Sequence, residues 1–346
     1  MDPRLRDSAF LKACRGEETP YTPVWLMRQA GRYMPEYQAV KARASSFLDF
    51  CKTPELTAQA TLDAQRILGV DAAILFADLP PILETLGLDL DYPAGIGPRI
   101  GNPIRDAATI DALRRDDPAA AMPFVGETIR LVRRGLPPDI PLIGFSGAPF
   151  TLSSYAIEGQ GSRNYIFMKQ IMYGDPGAWD ALMSLLTDQV IAYLQYQVDA
   201  GVQALQLFDS WVGCLSPQDY RDRALPYTQR VIEAVKGQVP IIHFGTGAAG
   251  FMDLMHEAGA DVLGFDWRTP MRSTWDRLGC TGAQGNMDPI ALCADRRTVE
   301  QKAQDVLDEI DGKAGHIFNL GHGIVPQTPV DNAKALVDYV HEHSRR

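Results

Sequence analysis

The chain has 346 residues, 46% of them apolar and 22% charged, with 33 basic residues against 43 acidic ones for a net charge of −10. Those proportions sit near the globular average and exclude general disorder. The acidic balance argues against a broad nucleic-acid or anionic-membrane surface, whose footprint is basic, and leaves room for a small cationic cleft.

At roughly 150 residues per domain the length fits two ordinary domains or one large one; a (β/α)8 barrel of about 250 residues enlarged by loop insertions fits equally. No run approaches about eighteen consecutive apolar residues, and MDPRLRDSAFLKACRGE lacks an apolar export core. The expectation is a cytoplasmic protein with no membrane anchor. Five cysteines, Cys14, Cys51, Cys214, Cys280 and Cys293, are odd in number, widely spaced and without C-x-x-C. They predict free or buried thiols in a reducing compartment, not a disulfide frame or a structural zinc site.

In chain order, apolar runs with β-branched and aromatic content predict strands at Pro23–Met27, Ala72–Phe76, Pro141–Ser146, Ala204–Phe208, Pro240–Phe244, Val262–Phe265, Thr281–Gly285 and His316–Leu320. Amphipathic stretches between them predict helices at Pro54–Leu68, Ala178–Ala200, Tyr227–Val235, Phe251–Ala258 and Thr298–Ile310, with a last one at Pro329–His343. Strand then helix, repeated eight times, implies parallel strands with right-handed crossovers, and eight is the number that closes a (β/α)8 TIM barrel. An open doubly wound sheet is the architectural alternative. The longest gap, Leu79 to Ile140, contains LDLDYPAGIGPRIGNPI. Its glycines and prolines predict a small hairpin before two helices, an extended loop insertion after the second strand within one domain spanning 1–346.

Barrel chemistry sits in the loops after the C-terminal ends of the strands. After the first strand, Arg28 and Arg32 lie four apart with Gly31 between them and Pro35 beyond. Two planar, permanently charged forks there suit carboxylates or phosphates; the alternative is a surface pair satisfied by neighbours such as Glu36. The second strand ends at Asp78, which either caps a turn or does chemistry. After the third, Gly147 and Pro149 make a tight exit, and Tyr155 falls on the first turns of the next helix, facing the cavity or packed in the core. The fourth strand ends in Asp209-Ser210-Trp211 and the eighth in Gly321-His322-Gly323. Ser210 lacks the G-x-S-x-G elbow of a hydrolytic nucleophile. His322, flanked by glycines at a strand end, is a stronger functional candidate than His243, His256, His341 or His343. Gly245-Thr246-Gly247-Ala248-Ala249-Gly250 follows the fifth strand, with Asp266 about twenty residues on, matching a dinucleotide fingerprint. Its late position in the chain opposes that reading, and such a loop also offers amides to a substrate anion.

Pro23 to Tyr37 and Gly144 to Leu152 closely resemble the two signature segments of the uroporphyrinogen decarboxylase family. Phe76-Ala77-Asp78, Leu207-Phe208-Asp209-Ser210, Gly264-Phe265-Asp266-Trp267, Gln284 to Pro289 and Asn319 to Gly323 resemble it too, in the same order. The resemblance implies a single (β/α)8 barrel, a homodimer, that decarboxylates the four acetate arms of uroporphyrinogen III to methyl groups without a metal or organic cofactor. It also implies that Arg28, Arg32, Asp78, Tyr155, Ser210 and His322 face the substrate, with Arg28, Arg32 and Asp78 catalytic. Two rivals are a zinc-dependent methyltransferase of a related barrel and a non-catalytic carboxylate-binding barrel. The first needs His-x-Cys with a distant Cys; Phe244-Gly245 follows His243 instead.

Overall fold

The computed structural model describes residues 2–93 and 95–346; Met1 and Ala94, the latter within the predicted hairpin, lie outside them. The strands are β1 (Ala73–Ile74), β2 (Leu90–Asp91), β3 (Arg99–Ile100), β4 (Leu142–Gly147), β5 (Ala204–Asp209), β6 (Ile241–Gly245), β7 (Val262–Gly264), β8 (Gly282–Met287) and β9 (His316–Leu320). β2 and β3 pair antiparallel. The other seven form one parallel sheet in the order β1-β4-β5-β6-β7-β8-β9. Each strand adds on the same side as its predecessor, so the order never reverses, which excludes the doubly wound alternative.

The sheet curls until both of its edges meet one segment. Phe318 of β9 donates its N–H to Pro23 O, Trp25 donates to Phe318 O, and Asp71, just before β1, donates to Val24 O. The predicted first strand is nevertheless not a strand: it is reduced to a single parallel bridge between Val24 and Phe318. Pro23 has no N–H to donate. Of the donors that follow, Val24 goes to the Asp71 side chain, Leu26 to Gln29 Oε1 and Met27 to Asn319 Oδ1. Apart from Trp25, side chains satisfy the donors of this backbone.

β4, β6, β7, β8 and β9 are buried at every residue, as expected of parallel strands covered on both faces. β4 and β6 begin one residue later than predicted because Pro141 and Pro240 can only accept; their carbonyls take the N–H groups of Ala73 and Leu205. A polar relay runs through the interior: Trp25 Nε1 donates to Gln284 Oε1, and Gln284 Nε2 to Gln206 Oε1, at 2.9 and 3.1 Å.

The helix Pro54–Leu68 has the predicted limits. Proline sits at its first position and Gly69, with φ 70°, ends it, an asymmetry that the backbone chemistry of the two residues dictates. The stretch after β1 differs from expectation in one respect. The β2–β3 hairpin is there, but three helices follow it, Ala107–Asp111, Pro118–Ala121 and Pro123–Gly135, where two were predicted; Pro118 and Pro123 each start a new one. The hairpin is tied to the helix Pro149–Glu158 and its cap by Ile100 N–H to Gly159 O and Ile104 N–H to Ala156 O. Among the described residues no helix is long and apolar enough to cross a membrane.

Candidate active site

Arg28 lies where the first segment leaves the sheet, and its backbone is left-handed, with φ 61°. For a residue with a side chain that conformation costs roughly 1–3 kcal/mol and persists only where its surroundings enforce it. Gln29 enforces it: its N–H donates to Leu26 O, and its buried amide takes Leu26 N–H and gives to Ala72 O. Tyr33 then returns its hydroxyl to Gln29 O at 2.7 Å. Gly31 is required here, since a Cβ would stand 2.9 Å from Arg28 O. Both arginines are exposed, and among the described residues neither guanidinium forms an ion pair or a hydrogen bond. Glu36 does not pair with either of them.

Asp78 follows β1. Its Oδ1 accepts the N–H of Leu79 at 2.8 Å, so the turn-cap role is real but uses only part of its capacity. No cation pairs with it among the described residues. Around it stands an aromatic wall: Phe47 packs edge-on against Phe50, Phe76 and Tyr92, with Tyr37 against Phe50 and Phe76. The Tyr92 hydroxyl is buried without a hydrogen-bond partner. Burial raises its pKa, and the nearby Asp78 carboxylate raises it further. Cys51 is pushed up the same way, by burial first and Asp78 second. Tyr92 was not foreseen in the sequence; it arrives on the hairpin, for which no local pattern announces a partner.

Tyr155, in the second turn of Pro149–Glu158, joins the two groups. Burial raises its pKa, Asp78 adds to the rise and Arg28 opposes it. Its ring stands edge-on to Trp211, centroids 5.7 Å apart, which brings the Ser210 loop alongside. Tyr37 feels Arg32 and Asp78 in the same opposed way, beneath the larger effect of burial. Arg28 and Asp78 thus both act on Tyr155, and the Tyr155 ring abuts Trp211, the neighbour of Ser210.

His322 is set between the Arg28 segment and the segment that follows β7. A Cβ on Gly323 would collide with the Arg28 side chain, and one on Gly321 with the backbone of Asp266 and Trp267. Gly323 N–H donates to His322 Nδ1 at 2.7 Å. Burial lowers its pKa to about 4, helped by Arg28 and Arg268 and opposed by Asp266. The ring is thus neutral at pH 7, with Nδ1 accepting and Nε2–H free to donate. Among the described residues no hydrogen bond joins it to Ser210.

The dinucleotide fingerprint has another explanation. Gly247 has φ 71° and donates its N–H to Asp266 Oδ2 at 2.7 Å. Asp266 also accepts from Arg268 N–H, Arg268 Nη1 and Thr269 Oγ1. The acidic residue that would hold a ribose is saturated by the protein itself. Of the other histidines, His243 is buried, its Nε2 3.8 Å from Asp209, and His341 pairs with Asp71 at the opposite end of the sheet. Among the described residues no three His, Cys, Asp or Glu side chains are grouped to hold a metal.

The family model "Uroporphyrinogen decarboxylase" matches residues 5–343. Similar relatives carrying that name come from Roseiflexus sp. (strain RS-1), 50% identical over 98% of this chain and 99% of that protein, and Carboxydothermus hydrogenoformans, 49% identical over 98% and 97%. Among solved structures, a methyltransferase from Methanosarcina mazei superposes with a TM-score of 0.77 over 97% of this chain and 98% of that one. At 18% identity that likeness concerns the fold alone. With the family model covering nearly the whole length and relatives at half identity, the chain belongs to the uroporphyrinogen decarboxylase family.

Proposed function

We propose that Arg28, Arg32, Asp78, Tyr155, Ser210 and His322, at the C-terminal ends of the strands, form the site where this chain decarboxylates uroporphyrinogen III. The enzyme is a carboxy-lyase of tetrapyrrole biosynthesis: four acetate arms lose CO2, become methyl groups and give coproporphyrinogen III. The observation that carries this placement is the pair of unpartnered guanidinium groups beside a carboxylate that no cation neutralises. An eight-carboxylate substrate supplies what the arginines lack, and a ring cation supplies what Asp78 lacks.

Breaking the bond to the carboxylate leaves an electron pair that needs a sink. Protonation of the ring α-carbon next to the one bearing the acetate arm makes the ring iminium-like and leaves the arm-bearing carbon electron-poor. The bond's electrons then flow into the ring as CO2 departs, leaving an exocyclic methylene. A second proton converts that methylene to methyl, and loss of the first restores the aromatic pyrrole, so each cycle consumes one proton net. A propionate carboxylate is one methylene further from the sink and survives. In this scheme Arg28 and Arg32 hold substrate carboxylates. Asp78 accepts from the pyrrole N–H groups and compensates the transient cation, where its aromatic surroundings strengthen the interaction. Tyr155, Ser210 and the His322 Nε2–H are donors to the remaining polar edges.

The same reading takes residues 1–346 as one cytoplasmic domain, with the Val24 segment as the eighth stave closing a (β/α)8 barrel and the hairpin region as an insertion. It also takes the chain as a homodimer. Ile166, Phe167 and Tyr173 remain exposed on the helix Ile166–Gly174, apolar surface of the kind a subunit contact covers. Cofactor independence is tested by converting reduced uroporphyrinogen with purified protein after exhaustive chelation and without NAD. Full turnover is expected. Loss with EDTA and recovery with zinc would overturn it.

A further inference from the structure

Arg268 stands just beyond β7, at the same end of the sheet as Arg28 and His322. We infer that Arg268 is a further substrate-binding residue, holding a carboxylate at His322 from the Gly321 flank as Arg28 does from the Gly323 flank. The geometry rests on the two glycines. Gly321 lies so close to Asp266 and Trp267 that a Cβ would meet their backbone, and Gly323 so close to Arg28 that a Cβ would meet its side chain. The His322 loop is therefore enclosed by the two arginine-bearing segments.

Arg268 is held ready for a ligand. Its Nη1 bonds Asp266 Oδ2 at 3.1 Å, its guanidinium carbon lies 4.0 Å from the centre of the Trp267 ring, and its side chain is 54% exposed while Asp266 is 1% exposed. One anchored edge and one stacked face fix the plane and leave the remaining donors of the fork outward. Neutralising Asp266 does not exhaust this arginine, because Gly247 N–H, Arg268 N–H and Thr269 Oγ1 already bond that carboxylate. Its charge reaches the site, since it joins Arg28 in keeping His322 unprotonated after the larger effect of burial. Two guanidinium groups cannot balance the eight carboxylates of the substrate; a third, preset one reduces the deficit.

The inference rests on the placement of Arg28 and His322 at the substrate, and the test separates the two. Steady-state kinetics of Arg268→Gln with uroporphyrinogen should show KM raised about fivefold to tenfold and kcat within about twofold of wild type, the pattern of uniform binding lost from a partly screened contact. Arg268→Lys should recover part of the loss, and the KM of the Gln variant should rise less steeply with salt than that of wild type. Unchanged KM in a folded Gln variant overturns the inference. If that variant does not fold, the double variant Asp266→Asn/Arg268→Gln removes both charges: raised KM upholds the inference, and normal KM assigns Arg268 to Asp266 alone. Normal kinetics in Arg28→Lys beside an impaired Arg268 variant would fault the placement of Arg28, not of Arg268.

Discussion

Asp71 and Asp78 stand at the two ends of β1, and their surroundings could hardly differ more. Asp71, at the N-terminal end, accepts from Tyr21 Oη at 2.8 Å and Val24 N–H at 2.7 Å, and pairs with His341 Nε2 at 2.7 Å. It joins the chain's first segment, its first strand and its last helix, Val330–His343, and its acceptor capacity is spent on the fold. Asp78, at the C-terminal end, accepts one backbone N–H from its own neighbour. Beside it are an unpartnered tyrosine hydroxyl and two arginines without anions. The difference follows the division of labour in such sheets, stability at one face and chemistry at the other. Beyond the closer burial of Asp71, what separates the two carboxylates is how much bonding capacity each has left.

The contrast is most exposed to failure at Asp78. An octa-anionic substrate is repelled by a carboxylate, so a mere binding role predicts tighter affinity and normal turnover for Asp78→Asn. Compensation of a cation that exists only after protonation predicts near-normal affinity and a turnover loss of at least roughly a hundredfold. Asp78→Glu should retain partial activity. A folded Asn variant with near-normal turnover would reduce Asp78 to its turn cap.

Next in size are the arginines. Arg28→Lys and Arg32→Lys keep charge and lose the bidentate fork, so kcat/KM should fall by about tenfold to a hundredfold in each, on the order of 1.5–3 kcal/mol. Arg28→Gly should do more damage to kcat/KM and yet raise unfolding stability by about 1 kcal/mol, because glycine relieves the left-handed backbone. A variant that gained neither stability nor lost activity would show that the strain serves no function.

At the other end of β1 the signs reverse. Asp71→Asn offers one acceptor oxygen where two are used and turns an amide toward a donor. Denaturant unfolding should show a loss of about 2 kcal/mol, with kcat in the folded protein unchanged. If turnover instead collapsed while stability held, the two ends could not be assigned separate duties.

The smallest expected effect is in pH dependence. Burial lowers His316 and His322 to about 4 from an ordinary 6.5. Between those values the unfolded chain binds more protons than the folded one, so stability rises with pH through that window and is lost as pH falls through it. Each histidine contributes a slope of up to about 1.4 kcal/mol per pH unit. His322→Gln should remove its share of the slope and leave that of His316, which bonds Gly285 O inside the sheet at 3.0 Å. An unaltered slope would mean that His322 is as hydrated in the folded chain as in the unfolded one.

Much of this architecture is legible in the amino-acid sequence, because local chemistry decides it. Prolines set where β4 and β6 begin, Pro54 and Gly69 set the limits of one long helix, and apolar runs locate seven strands of a parallel sheet. Strand ends single out Arg28, Arg32, Asp78, Tyr155, Ser210 and His322 one at a time, and only the family resemblance groups them. Local chemistry could not say that the Pro23–Met27 run would spend its donors on Asp71, Gln29 and Asn319, since two of those partners lie far along the chain. Nor could it say that Asp266 would be consumed by Gly247 and Arg268, turning a nucleotide fingerprint into a brace for the site. Tyr92 and Arg268 were hidden for the same reason. A side chain's remaining bonding capacity depends on which distant groups the fold brings to it, and that sum exists only once the sheet has curled.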